Sequence, residues 1–232
     1  MLTLLTATGC RPEAWAITEQ LMLAQDYAGP VRWVIVDDGE KPQPITFERE
    51  GWTLEVIRPA PFWKAGQNTQ ARNLSAGLAV ISNDDRVLII EDDDHVKPTY
   101  LRAMNAMLDK ADLVGESFAR YYNVKTRHYR QLSNAMHASL CSTAVKGGAI
   151  EALRRECKPG VQFIDLNLWR NFKGSKLLQR NGLVTGIKGM SGRGGIGMGH
   201  KPDFHGIKDE DGALLRELIG QDAGIYMELT CS

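Results

Sequence analysis

The sequence predicts an α/β fold in which helices flank a mixed, mostly parallel sheet. Segments typical of strands and of helices alternate through the first 110 residues, which is the pattern of crossover units in a parallel sheet. Of the 232 residues, 43% are apolar, so the chain can bury a sizeable core without disulfides or a structural metal. We expect one compact unit whose two halves, 1–110 and 111–232, meet near residue 111.

The first elements follow from apolar runs bounded by turn residues. Runs at 2–7, 31–39 and 52–59 predict strands, and the segment 13–26 between the first two predicts a helix. Strand, helix and strand then occupy fewer than forty residues. This spacing requires a parallel pair of strands joined by a right-handed crossover.

Two helices and a buried strand complete the first half. Apolar residues three and four positions apart predict a helix within 67–82, and the continuously apolar run 86–90 predicts a central strand. Pro98 opens a further helix, because proline is well tolerated in the first helical turn. The apolar side of that helix carries Leu101, Met104, Met107 and Leu108.

The second half is less regular. The segment 118–132 predicts a hairpin of two aromatic-rich strands. The segment 145–157 contains a double glycine, after which a short helix is predicted. A helix with an acidic residue near its start is expected within 163–172. The run 183–190 predicts a strand that precedes a glycine-rich loop.

Four consecutive carboxylates, Glu91 to Asp94, follow the predicted strand 86–90. Like charges this close repel one another unless a cation neutralises them or water solvates them. Crowded oxygen ligands suit a hard divalent cation such as Mg²⁺ or Mn²⁺, and an acidic turn exposed to water is the alternative. The carboxyl end of an interior strand is where open α/β sheets bind ligands, so the position favours a metal site.

Several short motifs occur in a fixed order between residues 2 and about 200. They are Asp37-Asp38-Gly39, Ala71-Arg72-Asn73, the acidic run 91–94 with Pro98, Gly147-Gly148, Asp165 before Leu168-Trp169, and His200. In this order they resemble the GT-A glycosyltransferases, most closely the family 2 type that uses nucleotide-sugar donors. The resemblance implies a Rossmann-like GT-A fold, with a donor-binding half at 1–110 and a smaller acceptor-binding half with a C-terminal flap at 111–232.

The resemblance also implies a metal site. The acidic run matches the family's D-x-D motif with glutamate in the first place, so Glu91 and Asp93 would ligate Mn²⁺ or Mg²⁺. His200 would be a third ligand, and His205 competes with it for this role. A loop histidine without metal is the alternative for His200.

The nucleotide-sugar contacts follow from the same resemblance. Asp38 would accept a hydrogen bond from a pyrimidine base, Arg72 would pair with the diphosphate, and Asp92 would reach the ribose. Thr6 at the end of the first strand and Gly148 of the glycine pair complete the expected contacts, and a UDP-sugar is the favoured donor. A turn aspartate and a surface arginine are the alternatives for Asp38 and Arg72.

Asp165 is the candidate catalytic base. In an inverting reaction a carboxylate removes the proton of the acceptor hydroxyl as that oxygen attacks the anomeric carbon. Ile164 stands where the family usually has a glutamate before this aspartate, which leaves Asp165 alone as the candidate. An aspartate that stabilises the first turn of a helix is the alternative interpretation.

Charge is unevenly distributed along the chain although the net formal charge is zero. Residues 111–205 contain 15 Lys and Arg against 6 Asp and Glu, and tyrosines are interleaved with these cations in the hairpin 118–132. Basic residues neutralise phosphates and aromatic rings stack on unpaired bases. This favours DNA as the acceptor, through a flipped hydroxymethylated pyrimidine of the kind a phage enzyme would modify. A glycan or small molecule, or a non-catalytic nucleotide-sugar or nucleic-acid binding module, remains open.

Three further features bear on the class of protein. Four cysteines without C-x-x-C pairing predict reduced thiols, and the absence of an eighteen-residue apolar run predicts no membrane partner. We expect a cytoplasmic protein, in the host cytoplasm if it is phage-encoded. The glycine-rich segment 191–199 contains G-x-G-x-x-G, but Pro202 follows instead of a helix, which favours a mobile flap over a dinucleotide site.

Overall fold

A computed structural model describes residues 1–195, 197–201 and 203–228 of the chain. The strands within these residues are β1 (Leu2–Thr8), β2 (Val31–Asp37), β3 (Trp52–Ile57), β4 (Arg86–Ile89), β5 (His95–Val96), β6 (Leu113–Glu116), β7 (Arg120–Asn123), β8 (His128–Gln131), β9 (Thr143–Lys146), β10 (Lys176–Gln179), β11 (Val184–Lys188) and β12 (Ile207–Lys208). The helices are α1 (Pro12–Leu23), α2 (Gln70–Leu78), α3 (Tyr100–Leu108), α4 (Gly148–Glu156), α5 (Ile164–Asn171), α6 (Ala213–Ile219) and α7 (Ala223–Glu228).

The main sheet has seven strands in the order β10-β6-β9-β4-β1-β2-β3. Strands β4, β1, β2 and β3 are parallel, and β6 and β10 form another parallel pair. Strand β9 lies antiparallel between β4 and β6, so three strands from the second half extend the sheet built by the first half. The predicted mixed, mostly parallel α/β sheet is confirmed, and β4 is a central strand as its apolar sequence indicates.

Helices cover both faces of this sheet, and each face has its own apolar cluster. Helices α1 and α3 pack on one face, where Trp15, Trp33 and Tyr100 are fully buried. Helices α2, α4 and α5 pack on the other face, where Leu74 and Leu168 are buried. Because both faces of the sheet are covered at its centre, β4 is a continuous apolar run after its first residue, whereas the edge strand β3 is partly exposed.

A second, smaller sheet has the order β12-β8-β7-β11-β5. Strands β7 and β8 form the predicted hairpin, and β11 pairs in parallel with β7 and antiparallel with β5. Strand β5 follows the acidic run directly, so this pairing holds the second sheet against the carboxyl edge of β4. None of the described helices is long and apolar enough to cross a membrane.

Strands β2, β3 and β4 end one or two residues earlier than predicted, whereas β1 extends one residue further, to Thr8. Strand β2 stops at Asp37 instead of continuing to residue 39, because the Asp37 carboxylate accepts hydrogen bonds from the backbone N–H groups of Gly39 and Gln43 at 2.9 and 2.8 Å. These bonds turn the chain away from the sheet. Strands β6, β9 and β10 have only four residues each and were not predicted.

Candidate active site

The four carboxylates that follow β4 lie at the carboxyl edge of the sheet. Asp92, Asp93 and Asp94 are 5% exposed or less, and the Glu91 side chain is 22% exposed. The predicted position of the acidic run, at the carboxyl end of a central strand, is confirmed. An exposed acidic turn is therefore the wrong alternative for these residues.

Arg11 neutralises two of the four carboxylates. Its Nη1 and Nη2 atoms lie 2.7 Å from Asp92 Oδ1 and 2.8 Å from Asp93 Oδ2, and Thr8 Oγ1 donates to Asp92 Oδ2 at 2.7 Å. Arg11 follows a sharp turn at the end of β1, in which Gly9 has a φ of 147°. A Cβ atom on Gly9 would lie 2.6 Å from the backbone nitrogen of Gly39, so only glycine fits there.

Lys188, the last residue of β11, is the cation that faces the other carboxylates of the cluster. Its Nζ atom lies 2.9 Å from Asp94 Oδ1 and 3.7 Å from carboxylate oxygens of Glu91 and Asp93. The backbone N–H of Ile187 donates to the same Asp94 oxygen at 2.9 Å. The β5–β11 pairing therefore places an ammonium group inside the acidic cluster.

The charges of this cluster do not balance. Four carboxylates face two cations, so the cluster has a formal charge of minus two when every carboxylate is ionised. Burial would raise the pKa of Asp93, but Arg11 and Lys188 outweigh it and hold that pKa below its ordinary value. Burial raises the pKa of Asp94 well above its ordinary value despite the bond from Lys188. A bound divalent cation would therefore neutralise the remaining negative charge of the cluster.

The donor atoms of the cluster fit such a cation. Ligand atoms of Glu91, Asp94 and Cys141 lie within 4.8 Å of one another, and the buried Asp94 Oδ2 has no hydrogen-bond partner among the described residues. Of the predicted ligands, His200 Nε2 lies 3.8 Å from Asp93 Oδ2. Burial lowers the pKa of His200 to about 4, so its imidazole is neutral near pH 7, as a metal ligand must be.

The predicted set of Glu91, Asp93 and His200 does not meet at one point in this conformation. Among the described residues, these three do not bring ligand atoms within 4.8 Å of one another. The Asp93 oxygen nearest to His200 accepts a hydrogen bond from Arg11 instead. His205 lies elsewhere, exposed beside the ring of His128 at 6.5 Å between centroids. Between the two histidines, only His200 reaches the acidic cluster.

A cavity of about 500 Å³ opens above the acidic cluster. Residues from both halves line it, among them Glu91, Asp92, Asp93, Asp165, Lys188 and His200. Asp165 is half-buried in the first turn of α5, and its Oδ1 accepts the backbone N–H of Leu166 at 2.8 Å. Burial raises the pKa of Asp165 above its ordinary value, against the opposing effect of that hydrogen bond. A carboxylate with a raised pKa in a cavity is suited to accept a proton.

The residues predicted for the nucleotide form a second polar group beside this cavity. Asp38 is fully buried, and its Oδ2 accepts hydrogen bonds from Thr69 and, at 3.0 Å, from Arg72. Its Oδ1 accepts a hydrogen bond from Arg193 of the glycine-rich segment, whose guanidinium also lies over the Trp63 ring at 5.3 Å. Arg72 is thus paired with Asp38 rather than directed at the cavity.

Two predicted nucleotide contacts lie away from the cavity. Thr6 is fully buried, and its hydroxyl accepts a hydrogen bond from Trp33 Nε1 at 3.0 Å. Gly148 begins α4, directly after β9, and β9 runs antiparallel to β4 with Lys146 beside Arg86. Gly148 therefore lies at the amino edge of β4, at the end of the strand opposite to the acidic cluster.

The aromatic residues of the hairpin differ in their surroundings. Tyr122 is 2% exposed and its hydroxyl donates to Asp209 at 2.9 Å, so it is a core residue and not a stacking platform. Tyr121 lines the cavity, and its hydroxyl donates to Ser139 Oγ at 2.8 Å. Lys125 and Arg130 are exposed, as a nucleic-acid surface would require.

The glycine-rich segment forms one wall of the cavity. Gly194, Gly195, Gly197 and Gly199 line it together with Lys201. Ile196 and Pro202 lie outside the described residues, as does Cys231, while Cys10, Cys141 and Cys157 are free thiols.

Sequence reasoning missed Arg11 and Lys188, the two cations of the acidic cluster. One signal was available for Arg11, because it follows the first strand and the carboxyl ends of neighbouring parallel strands meet at one edge. For Lys188 no sequence signal was available, since its place depends on the pairing of β11 with the two-residue strand β5.

Known proteins resemble the chain in structure. No protein-family model matches it and no curated protein matches it in sequence. The structure of residues 1–349 of Staphylococcus aureus TarS in complex with UDP-GlcNAc is similar with a TM-score of 0.56 and 13% identity, covering 86% of this chain and 61% of that one. The complex of the same TarS fragment with UDP gives a TM-score of 0.54 and 12% identity, covering 81% of this chain and 60% of that one.

A longer TarS structure is similar over 80% of this chain but only 36% of its own length, with a TM-score of 0.54 and 12% identity. The chain thus spans between about a third and three fifths of the length of these TarS structures. At this level of identity the likeness shows the fold alone. That fold is the Rossmann-like GT-A fold that the motifs imply.

Proposed function

We propose that the protein transfers a sugar from a UDP-sugar to an acceptor hydroxyl group. The observation that carries the proposal is one cavity that brings the half-buried carboxylate of Asp165 together with the acidic cluster and its cations Arg11 and Lys188. The fold shared with TarS, whose structures contain UDP-GlcNAc and UDP, supports the choice of donor. A non-catalytic binding module would have no need of Asp165 in the same cavity.

The base of the nucleotide would bind at Asp38. A uracil N–H group is a hydrogen-bond donor, and a buried carboxylate is a strong acceptor for it. Both oxygens of Asp38 are engaged by Arg72, Thr69 and Arg193, so the bond from Arg193 has to give way when the base binds. Arg193 of the glycine-rich segment, and Lys201 just after it, are then available to the diphosphate.

Asp165 would act as the general base. As the acceptor oxygen forms its bond to the anomeric carbon, the hydroxyl proton passes to the Asp165 carboxylate, and the bond from the anomeric carbon to the phosphate oxygen breaks. UDP departs with the electron pair of that bond. Because the acceptor oxygen attacks from the opposite face, the configuration at the anomeric carbon is inverted. Lys188 and Arg11 hold the neighbouring carboxylates in place and offset part of their negative charge near the departing diphosphate.

We propose Mn²⁺ or Mg²⁺ as the cofactor. Glu91 and Asp93 would hold the cation, with His200 as a neutral third ligand once Asp93 has turned from Arg11. Asp94 lies near enough to contribute a further oxygen ligand to the same site. A divalent cation in this position supplies Lewis-acid stabilisation of the leaving diphosphate.

The acceptor we propose is a hydroxymethylated pyrimidine in DNA, on the strength of the basic excess in residues 111–205. The exposed cations of the hairpin, Lys125 and Arg130, support this choice, whereas the buried Tyr122 contributes nothing to it. A glycan or a small molecule is the alternative acceptor.

The proposal is tested by incubating the protein with Mn²⁺ and a panel of UDP-sugars, with and without hydroxymethylated DNA, and measuring released UDP. We expect slow donor hydrolysis with one sugar and a large stimulation by the correct acceptor. Protein that neither binds nor cleaves any nucleotide sugar would contradict the proposed donor. Stimulation by a glycan but not by DNA would contradict only the proposed acceptor.

A further inference from the structure

A second cavity of about 240 Å³ adjoins the first. Tyr121 and Cys141 line both cavities, so these two residues form part of the wall between them. Its walls come from β7, β8, β11 and the turn after β10, all within the basic part of the chain. Two arginines, Arg120 and Arg180, line it.

The Arg120 guanidinium is held in one position by the backbone around it. Its Nη2 donates to the carbonyl oxygen of Val184 at 2.9 Å. Gly182 has a φ of 63°, and a Cβ atom there would lie 3.0 Å from Arg120 Nη1. Glycine at this position therefore lets the turn pack directly against the guanidinium. A guanidinium fixed in this way loses little conformational entropy when it binds a ligand.

Arg180 is held by an aromatic ring. Its guanidinium carbon lies 4.6 Å from the centroid of the Phe118 ring. Phe118 has a φ of 60°, a conformation that is costly for a bulky residue and is found mostly where a ligand or a turn requires it. The ring thus directs the second guanidinium to the same cavity as the first.

Within the described part of the chain, no carboxylate pairs with these two arginines. Among the described residues, neither guanidinium forms an ion pair with an acidic side chain. Glu116 is the only acidic residue that the described part of the chain contributes to the cavity wall. Its two oxygens accept the backbone N–H groups of Leu183 and Val184, each at 2.9 Å, and are therefore already engaged.

We propose that this cavity binds a phosphate group carried by the acceptor. Two arginines in one cavity, without acidic partners among the described residues, match the charge and the several oxygen acceptors of a phosphate, and a guanidinium can bind such oxygens in pairs. The shared wall of Tyr121 and Cys141 places the bound phosphate one side chain away from the reaction cavity. The inference rests on the proposed glycosyl transfer, since it assigns the second cavity to the acceptor of that reaction.

Binding of inorganic phosphate tests the site directly. Protein saturated with UDP, which fills the donor site, is titrated with inorganic phosphate and followed by ³¹P NMR. The double variant Arg120→Gln/Arg180→Gln should bind phosphate about tenfold more weakly or worse, the scale for lost charge-assisted hydrogen bonds. Its matched control is Arg155→Gln/Arg170→Gln, two exposed arginines on α4 and α5, which should bind phosphate as the wild type does.

The affinity for UDP distinguishes failure of this inference from failure of the proposed function. Normal UDP binding with equal phosphate affinity in the wild type, the double variant and the control would overturn the phosphate site and leave the donor assignment in place. Protein that does not bind UDP would overturn the proposed function instead. Gly182→Ala displaces the Arg120 guanidinium without removing its charge. If the double variant weakens phosphate binding through this cavity, Gly182→Ala should weaken it as well.

Transfer to a matched pair of acceptors tests the role of the phosphate. 5-Hydroxymethyldeoxyuridine and its 5′-monophosphate present the same hydroxyl group and differ only in the phosphate. The monophosphate should have the lower KM with the wild type, and the double variant should remove that advantage without changing donor hydrolysis by water. Equal KM values for the two acceptors in the wild type, or an advantage that survives in the double variant, would overturn the inference.

Discussion

The two adjoining cavities differ in whether their charged side chains are paired with side chains of opposite charge. In the first cavity every carboxylate of the acidic cluster contacts Arg11, which precedes α1, or Lys188, the last residue of β11. In the second cavity Arg120 and Arg180 are fixed by backbone and aromatic contacts and form no described ion pair. Charges paired within the chain stabilise and orient the site, whereas fixed charges without partners are available to a ligand.

Removal of divalent cation should have the largest effect on the first cavity. Since Arg11 and Lys188 leave two negative charges unbalanced, excess chelator should abolish release of UDP from the donor, and added Mn²⁺ should restore it. Asp93→Asn should likewise abolish transfer while circular dichroism shows an intact fold. Full activity in excess chelator would mean that the two side-chain cations suffice, and the metal assignment would be wrong.

Replacement of the proposed base should slow the chemical step and leave donor binding intact. Asp165→Asn removes the proton acceptor, so the rate of transfer should fall by roughly 10² to 10⁴ while the Kd for UDP stays nearly the same. Single-turnover kinetics and UDP titration measure the two quantities separately. A variant with near wild-type rate would return Asp165 to a role at the start of α5 and would reopen a retaining mechanism.

Loss of a paired cation should cost more stability than loss of an exposed one. Lys188→Met leaves the buried Asp93 and Asp94 and the half-buried Glu91 without their ammonium partner, and the free energy of unfolding should fall by about 3–5 kcal/mol. Lys125→Met, on the exposed hairpin, should change it by less than about 0.5 kcal/mol. Urea denaturation of the two variants measures the difference. Equal unfolding midpoints would show that the acidic cluster does not depend on Lys188.

Charge reversal in the hairpin should affect the acceptor and not the donor. Lys125, Arg127 and Arg130 changed together to glutamate should weaken DNA binding and lower its salt dependence, because each lost phosphate contact removes about 0.9 from the slope of log affinity against log salt. Donor hydrolysis by water should stay near normal. Binding assays at several salt concentrations decide the matter, and a wild-type protein without salt-dependent affinity for DNA would contradict the proposed acceptor.

The pH dependence of the reaction should reflect the burial of Asp165. Burial raises the pKa of this carboxyl above its ordinary value, so Asp165 becomes protonated at a higher pH than an exposed aspartate would. A protonated carboxyl cannot accept the hydroxyl proton, and kcat/KM should therefore fall as the pH is lowered through this raised pKa. A profile of kcat/KM against pH should show the acidic limb in the wild type, and Asp165→Asn should lack it.

Local sequence patterns predicted the strands of the first half and the acidic run after β4, because continuous apolar runs and turn residues act within a few positions. They could not predict which cations meet that run. Arg11 is 81 residues from Asp92 and Lys188 is 94 residues from Asp94, so both contacts depend on strand order. The expectation for Gly148 relied on motif order alone, and the sequence carries no sign that the strand before it reverses direction.

The reversed strand β9 also has a consequence for how the chain is made. During synthesis β4 emerges more than fifty residues before β9, its neighbour on one side. Until β9 pairs, one edge of an apolar strand presents unpaired N–H and C=O groups, which other nascent chains can join. A gene fragment that ends near residue 110 would therefore encode an aggregation-prone half-sheet, and productive folding has to wait until the ribosome has passed Lys146.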